Sequence, residues 1–276
     1  MAVSRAVLVT GCSSGIGRAT AERLAAAGFT VYASARRLDA VEGLAGCRPL
    51  QLDVTDEASM QAAVARIAQD EGAVGVLVNN AGYSQSGAVE GVPPAKAHRQ
   101  FETNVFGPMR LTQLVLPGMR EQRWGRIVNV SSMGGELTFP GGGWYHASKH
   151  ALEALSDALR FELAGFGIDV VVIQPGLIRT GFAEAAVGSI EVGDGTYGRF
   201  DAAVGAATAG AYDGGFARRL GGGPDAVAKA IERAVTAKRP RTRYRVTPSA
   251  RLFITLRRLL GDRGWDSLVG RSYPRP

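Results

Sequence analysis

The sequence contains little of several residue types that would place it in a particular protein class. Only two cysteines occur among 276 residues, Cys12 and Cys47, and their spacing forms no disulfide framework, which favours a reducing compartment. With three histidines and no Cys/His cluster, no metal site is expected, and His146 and His150 are interpreted as packing or surface residues. No apolar run has the length of a membrane-spanning helix, and no charged-then-apolar leader precedes the first predicted strand. We therefore expect a cytoplasmic protein.

Lysine is also scarce: the chain contains four lysines and 28 arginines. The net charge of +7 is unevenly placed: residues 238–276 contain 11 basic and two acidic residues, a surplus of nine, so the rest of the chain carries about −2. No module that reads a nucleic-acid groove accompanies this charge, and no nucleic-acid partner is expected.

Apolar segments of strand length alternate with segments of helical periodicity along most of the chain. The strand segments are continuous apolar runs rather than alternating ones, which is typical of a parallel sheet covered by helices on both faces. The sequence therefore predicts a single-domain α/β protein with a doubly wound (Rossmann), mostly parallel, seven-stranded sheet. The predicted strands are residues 6–10, 30–35, 48–54, 74–78, 126–130, 169–173 and 243–246.

Two segments break this rhythm. Residues 182–223 are rich in Gly and Ala with little periodicity, which predicts a mobile substrate segment within a dinucleotide-binding and catalytic domain of residues 1–248. Residues 249–276 form a basic amphipathic C-terminal extension, in which Ser249 is predicted to cap a short helix that Gly261 ends. Its apolar side is expected to pack on its own domain or on a sister subunit; the alternative is a peripheral contact with an anionic membrane.

A glycine-rich stretch, TGCSSGIG at residues 10–17, follows the first predicted strand and opens the first predicted helix. Gly11, Gly15 and Gly17 allow a tight turn and a close approach to a phosphate, while the helix N-terminus offers free N–H groups. The spacing is GxxxGxG rather than GxGxxG. A turn without a ligand is the alternative, but the position after the first strand favours a dinucleotide.

The end of the second predicted strand indicates which dinucleotide binds. Proteins that prefer NAD usually carry an Asp or Glu there to accept a hydrogen bond from the ribose 2′-hydroxyl. Here the chain reads ASARR at 33–37, and a guanidinium suits the oxygens of a 2′-phosphate. We therefore predict NADP (NADPH) as the cofactor, with Arg36 as the main contact and Ser13 nearby, and NAD as less favoured. The alternative is that both arginines are solvated surface residues.

A set of motifs in a fixed order carries a family resemblance. TGCSSGIG, LDV at 52–54, NNAG at 79–82, Asn104 in NVFG, Ser132, YHASK at 145–149 and PGLIRT at 175–180 together resemble the short-chain dehydrogenase/reductase family. Order and spacing match over about residues 4–180. The stretch from Phe139 to Leu163 is further similar to the branch that contains the 17β-hydroxysteroid and retinol dehydrogenases. The resemblance implies hydride transfer between NADP(H) and a carbonyl or alcohol carbon, and a homodimer or homotetramer formed through the long helices.

The resemblance also assigns roles to single residues. It makes Tyr145 the acid or base, lets Ser132 hold the substrate oxygen and lets Lys149 bind the nicotinamide ribose, while Asn104 holds a water that links Lys149 to solvent. A free phenol titrates at about 10, so a nearby ammonium and the oxidised nicotinamide have to favour the phenolate. The implied cofactor-binding residues are Gly11, Ser13, Ser14, Gly15, Ile16, Gly17, Arg36, Asp53, Val54, Asn80, Ala81, Gly82, Tyr145, Lys149, Pro175, Gly176, Ile178 and Thr180.

The substrate is predicted to lie over Ser132 and Tyr145, beneath residues 182–223. Its candidate walls are apolar and aromatic, which indicates a hydrophobic ketone or secondary alcohol such as a steroid, retinoid or acyl chain; the alternative is that these are ordinary core residues. An alternative function is a nucleotide-binding regulator or scaffold without catalysis, which an intact catalytic set disfavours. The predicted wall residues are Met133, Phe139, Trp144 and Phe182.

Overall fold

The computed structural model describes residues 3–190, 195–213 and 219–273. Within them, strands and helices alternate as the hydrophobic pattern predicts. The strands are β1 (Val7–Val9), β2 (Val31–Ala35), β3 (Cys47–Gln51), β4 (Val76–Asn79), β5 (Gly125–Val130), β6 (Ile168–Gln174) and β7 (Arg243–Arg245). The helices are α1 (Gly15–Ala26), α2 (Glu57–Glu71), α3 (Pro94–Phe101), α4 (Gly107–Glu121), α5 (Gly143–Leu163), α6 (Phe182–Gly188), α7 (Gly198–Asp213), α8 (Pro224–Thr236) and α9 (Pro248–Val269).

The seven strands form one sheet in the order β3-β2-β1-β4-β5-β6-β7, and all neighbouring strands pair in parallel. The chain first winds outward from β1 to β3 and then returns to continue from β4 on the other side of β1. The loops that follow β1 and β4 therefore diverge, which opens a crevice at the carboxyl ends of the strands. The predicted doubly wound α/β fold is confirmed.

Alternate strand residues point to opposite faces of the sheet and build two cores. On one face, Val7 and Val9 of β1 pack with Leu24 of α1 and with Val227 and Ile231 of α8. The opposite core is filled by the intervening strand residues and by α2, α4 and the end of α5, through Leu8, Leu77, Ile127, Ile67, Leu111, Met119 and Leu163. Because helices cover both faces, both sets of strand residues are apolar, which explains the continuous apolar runs.

Residues 182–223 differ from the irregular segment that the sequence suggested, because their described part contains α6 and α7. Three hydrogen bonds fix these helices to the loop that follows β4. Asp201, which is buried, accepts from the backbone N–H of Ala88 at 2.9 Å, and the Ser189 hydroxyl accepts from the N–H of Ser86 at 2.9 Å. The side chain of Gln85 donates to the Ser189 carbonyl at 2.7 Å. Small residues weaken the apolar periodicity, so it did not reveal these helices.

The C-terminal extension begins differently from the prediction. Thr247, not Ser249, caps α9, and its hydroxyl accepts from the N–H of Ala250 at 3.3 Å. Ser249 is buried and accepts from the N–H of Leu177 at 3.1 Å, so it supports the loop after β6. Gly261 (φ 62°) kinks the helix, which continues to Val269.

Most of the packing of the extension is on its own domain. Ile254 and Trp265 are almost fully buried against Met133, Leu137 and Leu177. On the basic side of the extension, Arg258 donates a hydrogen bond to the Glu136 carboxylate at 2.5 Å. Not every apolar side chain of the extension packs on the domain: Leu259 is 78% exposed. The extension therefore packs on the domain, and contact with a membrane or a sister subunit stays a prediction.

Candidate active site

The glycine-rich loop after β1 is held against the NNAG segment after β4. Gly11 has a φ of 71°, and a Cβ atom there would lie 2.9 Å from the Cα of Ala81. The Thr10 hydroxyl accepts hydrogen bonds from the N–H groups of Asn80 and Ala81, each at 3.0 Å, and the Asn80 side chain donates to the Thr10 carbonyl at 2.9 Å. The two segments thus form a rigid floor at the point where β1 and β4 diverge.

At the end of β2, the two neighbouring arginines have different surroundings. Arg37 pairs with Asp39 at 3.3 Å and is not among the residues that line the cavity. Arg36 lines the cavity, is exposed, and forms no ion pair with any described residue. The Asp53 carboxylate, also on the cavity wall, accepts from the N–H and the hydroxyl of Thr55 at 2.9 and 2.8 Å and thereby caps a local turn. Of the two arginines at the end of β2, Arg36 is therefore the one whose charge no described carboxylate neutralises.

Ser132 and Tyr145 meet at the centre of the cavity. Ser132 follows β5, and its hydroxyl accepts from the N–H of Gly134 at 3.0 Å, which fixes the rotamer. Tyr145 lies on the first turn of α5, with its ring 5.5 Å from that of Phe182. Burial raises the pKa of Tyr145 well above its usual value, and a hydrogen bond with Ser132 works in the opposite direction. The protein alone therefore keeps the phenol protonated at neutral pH.

Lys149 lies one helical turn beyond Tyr145 and is only 6% exposed. Its ammonium donates to the Val130 carbonyl at 2.9 Å and lies 5.9 Å from the centre of the Tyr145 ring. Burial lowers the pKa of Lys149 to about 8, although the negative charge of Glu153 partly opposes this shift. The lysine is thus a cation at neutral pH that can lose its proton close to the physiological range.

Asn104 occupies a π-helical turn, Glu102–Phe106, which interrupts the helical region between α3 and α4. Its side chain donates to the Tyr83 carbonyl at 3.0 Å and to the Ser148 hydroxyl at 3.1 Å, and accepts from the Tyr83 N–H at 3.2 Å. Beside it, a Cβ atom at Gly82 would lie 3.1 Å from Asn104 Oδ1 and 3.6 Å from Lys149 Nζ. The absent side chain at Gly82 therefore leaves a gap between the amide and the ammonium.

One cavity of about 1370 Å³ joins these groups. Gly17 and Asn104 lie behind its wall, and Trp144 does not face it: the indole donates to the Val89 carbonyl at 3.3 Å and packs edge-on against Phe101. The structure therefore does not bring Trp144, which was predicted as a substrate wall, to the cavity. The predicted residues that do line the cavity are Gly11, Ser13, Ser14, Gly15, Ile16, Arg36, Asp53, Val54, Asn80, Ala81, Gly82, Ser132, Met133, Phe139, Tyr145, Lys149, Pro175, Gly176, Ile178, Thr180 and Phe182.

The far wall of the cavity also contains residues that the sequence analysis did not select. Tyr212 of α7, Phe253 of α9 and Tyr273 beyond it all line the cavity. Phe253 and Trp265 pack against the predicted wall residue Phe139, with ring centres 5.6 and 5.5 Å from it. No local motif marks these residues, because they reach the site only through packing of the extension.

His146 is a buried imidazole between Phe139 and Tyr145, with ring centres 6.1 and 5.5 Å away. It packs as predicted but also lines the cavity. Burial lowers the pKa of His146 to about 4, and its Nδ1 atom has no hydrogen-bond partner among the described residues. The ring is therefore neutral at physiological pH.

This burial predicts an acid-dependent loss of stability. Below the unfolded-state pKa of 6.5, the unfolded chain takes up a proton at His146 that the folded chain accepts only below about 4. Stability is therefore expected to fall between pH 6.5 and 4, by about 2–3 kcal/mol from this residue. Urea unfolding at pH 7 and at pH 4.5 measures this loss. Between the two pH values, the free energy of unfolding should fall less in His146→Phe than in the wild type. His98→Gln, at an exposed position of α3, should behave like the wild type; equal losses in all three would contradict the assignment.

The residues fit a dinucleotide. The cavity is larger than the roughly 300–1,000 Å³ of an ordinary ligand pocket, so it has room for a cofactor and a substrate together. Its floor is a glycine loop in which side chains at Gly11 and Gly17 would strike the backbone, and this loop opens onto the N-terminus of α1. Backbone N–H groups at a helix N-terminus suit a pyrophosphate.

Comparisons with known proteins agree with this geometry. Residues 5–189 match the family model described as short chain dehydrogenase. The chain belongs to the short-chain dehydrogenase/reductase family. It is 36% identical over 276 residues to the NADPH-dependent 3-dehydrocapnine reductase of Ornithobacterium rhinotracheale, covering 96% of this chain and 95% of that protein. A short-chain dehydrogenase structure from Streptomyces avermitilis has a TM-score of 0.80 at 36% identity, with 98% of each chain covered.

A further relative matches over a shorter length. The 3-ketodihydrosphingosine reductase of Bacteroides thetaiotaomicron is 41% identical over 178 residues, which are 64% of this chain and 65% of that protein. This short-chain dehydrogenase is thus an oxidoreductase with reductase-named relatives. Within the described ranges, no group of three or more His, Cys, Asp or Glu side chains could hold a metal ion. None of the described helices is both long and apolar enough to cross a membrane.

Proposed function

We propose that this protein transfers a hydride between NADP(H) and a hydrophobic ketone or secondary alcohol, with Tyr145 as the acid or base. The observation that carries the proposal is the meeting of Ser132, Tyr145 and Lys149 in one cavity, between the glycine loop and an apolar far wall. When bound, the nicotinamide would supply or accept the hydride. The protein's own groups then have to hold the substrate oxygen and move one proton.

The geometry supports a division of labour between these groups. The Ser132 hydroxyl, fixed by Gly134, can hold the substrate oxygen beside the Tyr145 phenol. Because burial keeps that phenol protonated, it suits donation of a proton to the oxygen of a carbonyl that is being reduced. After the proton has left, the buried Lys149 cation favours the phenolate of Tyr145. The gap beside Gly82 lies between Lys149 and Asn104. The site therefore contains the groups needed to hold the substrate oxygen and to move one proton.

Arg36 supports NADP over NAD. Its guanidinium lines the cavity without an ion-pair partner among the described residues, whereas Arg37 is paired with Asp39. An Arg fork matches phosphate oxygens, and the 3-dehydrocapnine reductase relative is named as NADPH-dependent. These observations favour a 2′-phosphate contact at Arg36.

The pair of arginines offers a matched test of the cofactor. Arg36→Ala is expected to weaken NADPH binding by about 10- to 100-fold, the effect of losing a charge-assisted hydrogen bond, and to leave NADH binding unchanged. Fluorescence titration of both nucleotides measures this. Arg37→Ala, which removes the neighbouring paired charge, should change neither. Equal loss in the two variants, or wild-type binding of NADH as tight as that of NADPH, would overturn the NADP assignment.

The substrate class can be tested with apolar ketones. Phe139, Phe253 and Phe182 surround the space next to Tyr145, which favours an apolar body on the substrate. Turnover of medium-chain or cyclic ketones, followed by loss of NADPH absorbance, would support the proposal. Tight NADPH binding with no turnover of any carbonyl compound would instead indicate a nucleotide-binding regulator.

A further inference from the structure

One phenol on the cavity wall takes no part in the proposed chemistry. Tyr212 projects from α7 into the substrate end of the cavity, where it packs beside the cluster of Met133 and Leu177. Its side chain is partly exposed, and the space it faces is the cavity. Within residues 3–190, 195–213 and 219–273, no hydrogen bond satisfies its hydroxyl.

Because this hydroxyl faces the cavity, an oxygen atom of a bound ligand can become its hydrogen-bond partner. Burial raises the pKa of Tyr212 to about 12, so the group is a neutral donor and acceptor. Tyr212 and Tyr145 line the same cavity. A ligand bound over Tyr145 can therefore reach both phenols.

The charges around Tyr212 limit what it can bind. None of the charged residues in the described cavity lining belongs to the apolar cluster against which Tyr212 packs; they are Arg36, Asp53, Arg99, Glu102 and Lys149. The remaining neighbours are apolar, aromatic or small, such as Phe253 and Ala211. A carboxylate or phosphate on the substrate would be buried here without a counter-ion, which is costly. An uncharged oxygen is the group that fits.

We infer that Tyr212 is a specificity-determining residue that hydrogen-bonds a second, uncharged oxygen close to the reacting carbonyl of an otherwise apolar substrate. The inference rests on the proposed function and narrows its substrate class to hydroxy ketones and diketones. Tyr212 supplies no proton to the reaction, so its removal affects the choice of substrate rather than the chemical step.

The test compares three ketones with the full-length protein and NADPH: a medium-chain methyl ketone and its analogues with a hydroxyl group on the α or the β carbon. One neutral hydrogen bond is expected to favour the better hydroxy ketone by about three- to tenfold in kcat/KM. In Tyr212→Phe this preference should fall to about one, while kcat/KM for the plain ketone stays within about twofold. Tyr197→Phe is the matched control, because that phenol bonds Glu90 at 2.9 Å outside the cavity.

The outcomes separate this inference from the proposed function. A plain ketone that is turned over, with no preference for its hydroxy analogues or with a preference that survives in Tyr212→Phe, overturns the role of Tyr212 and leaves the proposed function standing. If NADPH binds and none of the ketones is reduced, the proposed function fails and the inference falls with it. A thermal midpoint of Tyr212→Phe equal to that of the wild type shows that the loss of preference comes from the hydroxyl.

Discussion

Tyr145→Phe is expected to lower kcat by at least about 1000-fold while the affinity for NADPH stays within about twofold. The substitution removes one oxygen atom, and the ring can keep its contact with Phe182 at 5.5 Å. Positioned proton transfer contributes about 10²- to 10⁴-fold to enzymatic rates, and here the same hydroxyl also meets Ser132 beside the reacting oxygen. Steady-state rates with an accepted ketone, together with a fluorescence titration of NADPH, measure both quantities.

The two readouts distinguish a catalytic role from a structural one. A variant that loses activity and NADPH binding together would point to a disturbed site, and one that keeps more than about a tenth of the wild-type kcat would exclude Tyr145 as the proton donor. Phe182→Leu is a useful comparison, because it removes the aromatic contact and spares the phenol; its kcat should fall far less.

Lys149→Arg is expected to lower kcat by about 100-fold or more, although the charge is conserved. The ammonium is 6% exposed and donates to the Val130 carbonyl at 2.9 Å, so the larger planar guanidinium cannot take the same place. Arginine also practically never releases its proton, whereas burial brings the pKa of Lys149 to about 8. The comparison variant is Lys229→Arg, at an exposed position of α8, which should keep the wild-type rate.

The pH dependence adds a second readout for Lys149. Because its charge is present below its pKa and lost above it, wild-type activity that needs the cation should decline as the pH rises through about 8. This decline should be absent from the residual activity of Lys149→Arg. A rate in Lys149→Arg within about threefold of the wild type would show that the position requires only a positive charge. The same decline in both proteins would show that it does not come from the titration of Lys149.

The sequence by itself determined the fold and the arrangement of the motif residues. Each motif directly follows a strand, and parallel strands place their carboxyl ends at one edge of the sheet. TGCSSGIG after β1, NNAG after β4, Ser132 after β5 and PGLIRT after β6 could therefore be expected to meet, and the cavity joins them. The Tyr145–Lys149 spacing needs only the helical repeat to share a face. The chemical roles of these residues stay predictions until the variants are measured.

Tertiary structure alone decided the substrate end of the site. Trp144 lies next to Tyr145 in sequence, yet the helix turns it toward Phe101 and Val89. Phe253 and Tyr273, more than 100 residues away from Tyr145 in the chain, line the cavity because α9 packs across the end of the sheet. The burial that shifts the pKa values of His146 and Lys149 likewise depends on what packs around them. Local spacing places a residue on an element, but long-range packing decides which side chains face the cavity and how much water they lose.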